Sequence, residues 1–276
     1  VESEFIAISA SIIQGSAAGP ASYVVAGSDL RPLTPGNSMV KFADDTYLVI
    51  PASNRESCAE EIKHVENWAS SNNLRLNHVK SMEIAFVSPR CRRAVVIPAP
   101  AVPTIPRVEE IKALGVTISR KFSVAQHINH LLVSCAQSLF ALRTLRQHGL
   151  PTDALHTVFQ ATVVAKLSYA SPAWWGLTSA ADRDRLESFL RRSTALGFRP
   201  ATAPTLCVLC SEADDKLFKA ITANSSHLLH HLLPPRREIQ YSLRPRAHDF
   251  TLLMRTTSLS DNNYMNRMLY KNIGCI

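Results

Sequence analysis

The chain has 276 residues, 46% hydrophobic and 19% charged, which is ample apolar material for a packed core and excludes a mainly disordered polymer. No apolar run reaches the ~20 residues a membrane span needs; the nearest, 161–177, is broken by Lys166. The net charge of +8 is uneven: residues 1–138 carry 13 Lys/Arg against 12 Asp/Glu, and residues 139–276 carry 17 against 10. A near-neutral half joined to a basic half suggests that one part does chemistry while the other holds a polyanion. Six cysteines in a chain of this length make no disulfide framework. The start at Val1 shows no initiator Met and no signal peptide, so the chain is expected to begin inside a domain.

Around Met39 two short β-prone runs flank Asp44 and Asp45, which predicts a hairpin with the two acids at its tip. A helix is expected over 55–72, with Cys58, Ile62, Val65 and Trp68 on one face and Glu60, Glu61 and Lys63 pointing elsewhere. Strand-like runs recur at 82–87, 94–97 and 114–118. Between the last two, 98–106 holds four prolines and reads as an extended loop. From Val124 the period becomes helical: Ile128, Leu131, Leu132, Cys135, Leu139 and Leu142 form one stripe, stopped by Gly149 and Pro151. Further helices are expected over 152–168, 180–196 and 213–233, the last ended by Pro234-Pro235. The predicted class is α+β on the N-terminal side and all-α after a boundary near residue 122.

Adjacent carboxylates on a tight turn repel one another, and their value lies in holding a hard divalent cation such as Mg²⁺. Taken alone the pair is a weak signal, because most such pairs are solvated turn residues. Its neighbours add to it. Gln14-Gly15-Ser16 followed by Gly19-Pro20, then Phe42-Ala43-Asp44-Asp45, then Trp68 with Asn73 to Lys80, then Leu114-Gly115-Val116 leading to Gln126-His127-Ile128, stand in an order that resembles the reverse transcriptase of non-LTR (LINE-like) retrotransposons. Tyr169 to Gly176, with Trp174 at its centre, and the run from Asp184 to Arg192 are similar to that family's C-terminal helical region.

The resemblance implies a partial polymerase palm, antiparallel strands with packed helices, over 1–122. An all-α thumb and connection would follow over 123–235 and a basic C-terminal tail over 236–276. It implies an RNA-directed DNA polymerase adding dNTPs to a DNA primer on an RNA template by two-metal catalysis. Asp44 and Asp45 would be the catalytic metal ligands for Mg²⁺, with Mn²⁺ as a substitute. Lys80 would protonate the departing pyrophosphate, or equally be a surface lysine at a strand start. Gln14, Gly15 and Phe42 would line the nucleotide pocket; read from the residues alone, Phe42 and Trp68 are core. The family's third carboxylate lies on a strand upstream of the Gln-Gly segment, where only Glu2 and Glu4 stand, and its fingers and endonuclease are not seen. The chain alone is therefore expected to be inactive, and the alternative is a catalytically dead remnant that binds RNA or DNA. The family implies an intracellular ribonucleoprotein, nuclear or cytoplasmic.

In the basic half, Arg183, Arg185, Arg191 and Arg192 lie on or near one helix, and Arg236, Arg237, Arg244 and Arg246 follow the two prolines. Arginine forks suit phosphate, and Tyr241 and Phe250 could stack on unpaired bases. Arg183, Arg191, Arg192, Arg236 and Arg237 are the nucleic-acid candidates, with a solvated arginine face as the plain reading of each. Cys207-x-x-Cys210 followed by His227 and His231 comes near zinc-finger spacing, but the residues between them read as one continuous helix and zinc is not expected.

Overall fold

The structure, a computed structural model, describes residues 18–87, 100, 102–237 and 248–271. It is an α+β protein of helices and two small antiparallel hairpins. The chain divides into two compact units, one holding residues 18–83 with 100 and 102–108, the other 84–87, 109–237 and 248–271. Among the described residues no helix is long and apolar enough to cross a membrane.

The first described element of the first unit is helix α1 (Gly19–Ala26), with Pro20 in its first turn, where a missing N–H costs nothing. Strands β1 (Ser38–Phe42) and β2 (Asp45–Val49) pair in register from Ser38↔Val49 to Phe42↔Asp45, which leaves Ala43 and Asp44 as the turn. Helix α2 (Cys58–Ser71) follows a short 3₁₀ turn and stops at Asn72, with Asn73 left-handed at φ 55°. The expected stripe of Cys58, Ile62, Val65 and Trp68 is half-buried, as its spacing predicts. Glu61 does not point elsewhere. It is 0% exposed, because three residues after Cys58 and four before Val65 is the same helical face. Buried apolar side chains are few in this unit: Leu30, Ala69 and Ile105 among the described residues.

The run at 82–87 is not a strand. Glu83 makes one parallel bridge to Arg107, with its N–H on the Pro106 carbonyl (3.0 Å) and its carbonyl taking the Val108 N–H (2.8 Å). Pro103 and Pro106 have no N–H to offer, so no ladder extends from it. The run at 94–97 lies outside the described residues.

In the second unit β3 (Glu110–Ala113) and β4 (Val116–Ser119) form a hairpin that turns on Leu114 and Gly115, both with positive φ (45° and 88°). That is the pattern of a two-residue turn matching strand twist. The run read as a strand over 114–118 thus begins with the turn itself. This hairpin packs on helix α3 (Ala125–Gln147), so the boundary near 122 falls inside the unit and not at its edge. The α3 stripe is as its period predicts, with Ile128, Cys135, Leu139 and Leu142 buried.

Helix α4 (Thr152–Phe159) continues through a π-helical turn, Gln160–Val164, into α5 (Ala165–Ser168), widening where Thr162, Val163 and Val164 crowd the backbone. Left-handed Ala170 (φ 49°) redirects the chain into α6 (Ser171–Trp174). Helix α7 (Ala180–Ala195) is capped by Ser179, whose Oγ accepts the Asp182 N–H (3.1 Å). Helix α8 spans Leu206–Ala223 and not 213–233; Thr205 caps its start, and after Asn224 only a 3₁₀ turn, His230–Leu232, remains before the prolines. Trp174, Phe159, Leu186, Phe198 and Leu206 fill the main core.

The stretch read as a tail contains α9 (Ser258–Asn262) and α10 (Tyr264–Tyr270). Met265 and Leu269 of α10 bury against Ile221 of α8 and Phe250. Arg267 grips Asp214 of α8 through two nitrogens (2.6 and 3.4 Å), and the Tyr264 hydroxyl donates to the Asp214 carbonyl (2.9 Å).

Candidate functional site

The acidic pair stands on the β1–β2 turn. Ala43 there adopts φ 50°, a left-handed conformation that costs a residue with a Cβ about 1–2 kcal/mol. Asp44 and Asp45 are both exposed, and among the described residues neither carboxylate has a hydrogen bond or ion pair. A lysine three residues before Asp44 would ordinarily neutralise such a turn. Lys41 does not, because its ammonium is tied off on the carbonyl oxygens of Gly27 and Leu30, the latter at 2.5 Å. Burial is the largest effect on that ammonium and holds its pKa below the usual lysine range, against the pull of Asp29. Two hard oxygen donors are thus left uncompensated in water, a fit for Mg²⁺, which binds one or two carboxylates and keeps its remaining waters. Among the described residues no third His, Cys, Asp or Glu joins them in a metal-holding group.

The base of this hairpin is polar. The Glu61 carboxylate accepts the Leu33 N–H (3.0 Å), the Thr34 N–H (2.8 Å) and the Asn37 side-chain amide (2.8 Å). Burial alone would raise the Glu61 carboxyl, but these N–H groups outweigh it and hold its pKa below the ordinary glutamate range. Asn37 also reaches the Ser57 hydroxyl (3.0 Å) and receives the Asn54 amide (3.0 Å), whose same nitrogen meets the Pro35 carbonyl (2.8 Å). Sequence reasoning missed Glu61; its one signal was the i, i+3, i+7 spacing it makes with Cys58 and Val65.

Phe42 is not core. It is 61% exposed, on the same hairpin face as exposed Val40 and Val49, while Lys41 lies on the other face. Trp68 is half-buried with its indole N–H on Asp29 (2.9 Å). Lys80 is an exposed residue of the turn after Asn77, in the same unit as the acidic pair. Gln14 and Gly15 lie outside the described residues, as do Tyr241, Arg244 and Arg246.

The five arginine candidates divide. Arg183 is engaged inside its own unit: its guanidinium bonds the Thr178 hydroxyl (2.7 Å) and the Trp175 carbonyl (3.3 Å) and lies over the Trp175 ring at 4.9 Å. Arg236 pairs with Asp249 (2.8 Å) across the bridge to Phe250, and its neighbour Arg237 is half-buried beside it. Arg191 and Arg192 on α7 are exposed, Arg191 touching only the Ser188 hydroxyl (2.8 Å) among the described residues. Arg185, which was grouped with them, bonds Asp182 and Asn129.

The two cysteines of the zinc spacing sit in one helix, not on a hairpin. Cys207 is exposed, whereas Cys210 is fully buried and its thiol is pushed up to about 12 by that burial. His230 is turned to the Ile221 carbonyl (2.8 Å).

Comparison of the chain with protein-family models, with curated proteins and with solved structures finds no match.

Proposed function

We propose that the chain is the palm-and-thumb portion of an RNA-directed DNA polymerase of the non-LTR retrotransposon kind. The observation that carries this reading is the acidic turn: two exposed carboxylates with no partner among the described residues, beside a lysine whose charge is held elsewhere. The order of the surrounding motifs, from Gln14-Gly15 to the helices after residue 124, supports the same assignment.

In this reading Asp44 and Asp45 hold Mg²⁺ or Mn²⁺. A divalent cation there supplies electrostatic stabilisation to phosphoryl oxygens during nucleotide addition. Gln14, Gly15 and Phe42 contact the incoming nucleotide, and the Lys80 ammonium is the proton donor to the leaving pyrophosphate. Exposed Arg191 and Arg192 take the phosphate backbone of the template–primer duplex without reading its sequence. Arg183, already bonded within its unit, supports the helix that carries them.

Two carboxylates fix a metal pair poorly, so these 276 residues alone are expected to be inactive and to gain activity when an upstream third carboxylate is supplied. Primer extension on an RNA template, with and without such an upstream extension, tests this. Activity in the extended form that Asp44→Ala abolishes supports the reading; activity that survives Asp44→Ala overturns it. The second reading, a nucleic-acid binder without catalysis, rests on the exposure of Arg191 and Arg192. Each substitution to alanine should then lower the slope of log affinity against log salt by about 1.

A further inference from the structure

The turn that carries Asp44 and Asp45 belongs to a hairpin of two five-residue strands, and an isolated two-stranded hairpin is at best marginally stable in water. Its outer face is exposed at Val40, Phe42 and Val49, so apolar packing does not hold it from that side. Two sets of polar ties hold it: Lys41 near the turn, on the Gly27 and Leu30 carbonyls, and Asn37 at the root. Asn37 is the residue immediately before β1, and it is fastened by its side chain to Glu61 and Ser57 on the helical side of the unit. Glu61 also fixes the two preceding backbone N–H groups of the same segment, at Leu33 and Thr34. From Asn37 to the turn is one strand length, about 17 Å at roughly 3.3 Å per residue. The acids stand beyond the Lys41 tie, so their position depends on both that tie and the set of the strand at its root.

Glu61 is an unusual choice for structure alone. A carboxylate with 0% exposure and no cation partner among the described residues is expensive to bury. Three N–H bonds satisfy it, and all three donors come from the one segment that leads into β1. A neutral side chain could fill the volume. Only an acceptor with two oxygens can gather Leu33, Thr34 and Asn37 at once.

We infer that Glu61 is a positioning residue: it orients the root of the β1–β2 hairpin and, through it, sets where Asp44 and Asp45 present their oxygens to a divalent cation. The inference rests on the reading of that pair as a cation site. Asn37 is the link between the two, and Glu61 itself touches no cation.

The test uses the full chain, with Mn²⁺ alone as the probe, and follows Mn²⁺ affinity together with amide hydrogen exchange over residues 38–49. Asp44→Asn should abolish Mn²⁺ binding. Glu61→Gln, which keeps the shape but sets an amide donor against an N–H, should weaken the affinity of the folded protein by about tenfold, the lower end of what losing a direct outer partner of a metal ligand costs, because Glu61 acts through Asn37. It should also speed exchange over 38–49 while leaving the α3 amides unchanged. Asn37→Ala should act in the same direction and decides the matter if Glu61→Gln does not fold. A purely structural Glu61 would lower the melting temperature and leave the Mn²⁺ affinity and the 38–49 exchange of the folded protein as in wild type; that result overturns the inference. If Asp44→Asn leaves Mn²⁺ binding unchanged, the cation-site reading fails, and the role of Glu61 in holding the hairpin is then judged by the exchange arm alone.

Discussion

Removing the Asp214 carboxylate should unfasten the C-terminal helices from α8. Asp214 is 3% exposed and faces Arg267 at 2.6 and 3.4 Å. Breaking a buried ion pair by deleting one partner costs about 3–5 kcal/mol, because a charge is left without compensation. The Arg267 side chain keeps 21% of its surface in solvent, which moves the expectation for Asp214→Ala to the lower end, about 3 kcal/mol. At about 2–4 °C per kcal/mol for a unit of this size, the melting temperature should fall by roughly 6–12 °C. Urea unfolding followed by circular dichroism measures the loss. The double replacement Asp214→Leu with Arg267→Met removes both charges and keeps the volume, so it should return to within about 1 kcal/mol of wild type. The reasoning fails if the single replacement costs less than about 1 kcal/mol, or if the double variant is no more stable than the single one.

Acid should weaken the helical unit through His127. This buried side chain packs edge-on against Trp174 with its Nε2 unpartnered among the described residues, and burial, aided by the charges of His130 and Lys112, lowers its pKa. The unfolded chain then binds the proton more readily, so the contribution of neutral His127 is complete above the unfolded value of about 6.5 and is lost as pH falls below it; urea midpoints at pH 7.5 and 5.5 should differ more in wild type than in His127→Phe. Gly115→Ala should cost about 1–2 kcal/mol by the same measurement, since the residue has φ 88° and a Cβ would lie 3.1 Å from the Tyr169 ring. Lys41→Met should remove the ties to the Gly27 and Leu30 carbonyls and destabilise the first unit by about 1–3 kcal/mol, read as faster amide exchange over residues 38–49; unchanged exchange there would refute its role as a tether.

Long periodic segments were legible in the sequence. The α3 stripe from Ile128 to Leu142 states its own period and packing followed it, and the two β-prone runs flanking Asp44 and Asp45 pair as the expected hairpin. Glu61 was misread because a charged residue was assigned to the solvent side, although its spacing placed it on the apolar stripe. The start of α8 was missed because the reading began at its acidic middle. Thr205 as cap, followed by Leu206, Cys210, Leu217 and Ile221, marks the helix just as well. The run at 82–87 had strand composition but only a proline-bearing segment to pair with, and pairing is not a local property. The candidate site was legible in its chemistry, as an exposed acidic turn. What holds that turn was not, because the bonds to Glu61 and Lys41 join residues 11 to 28 positions apart.

Among the described residues of the first unit, the scarcity of buried apolar side chains beyond Leu30, Ala69 and Ile105 has a calorimetric consequence. Unfolding heat capacity rises with the nonpolar area newly wetted and falls with the polar area. A unit closed mainly by amides on a carboxylate should therefore have a small increment per residue. Its free energy should then bend little between cold and warm, and its melting should be broad and shallow beside the sharp endotherm of a tryptophan-filled helical core.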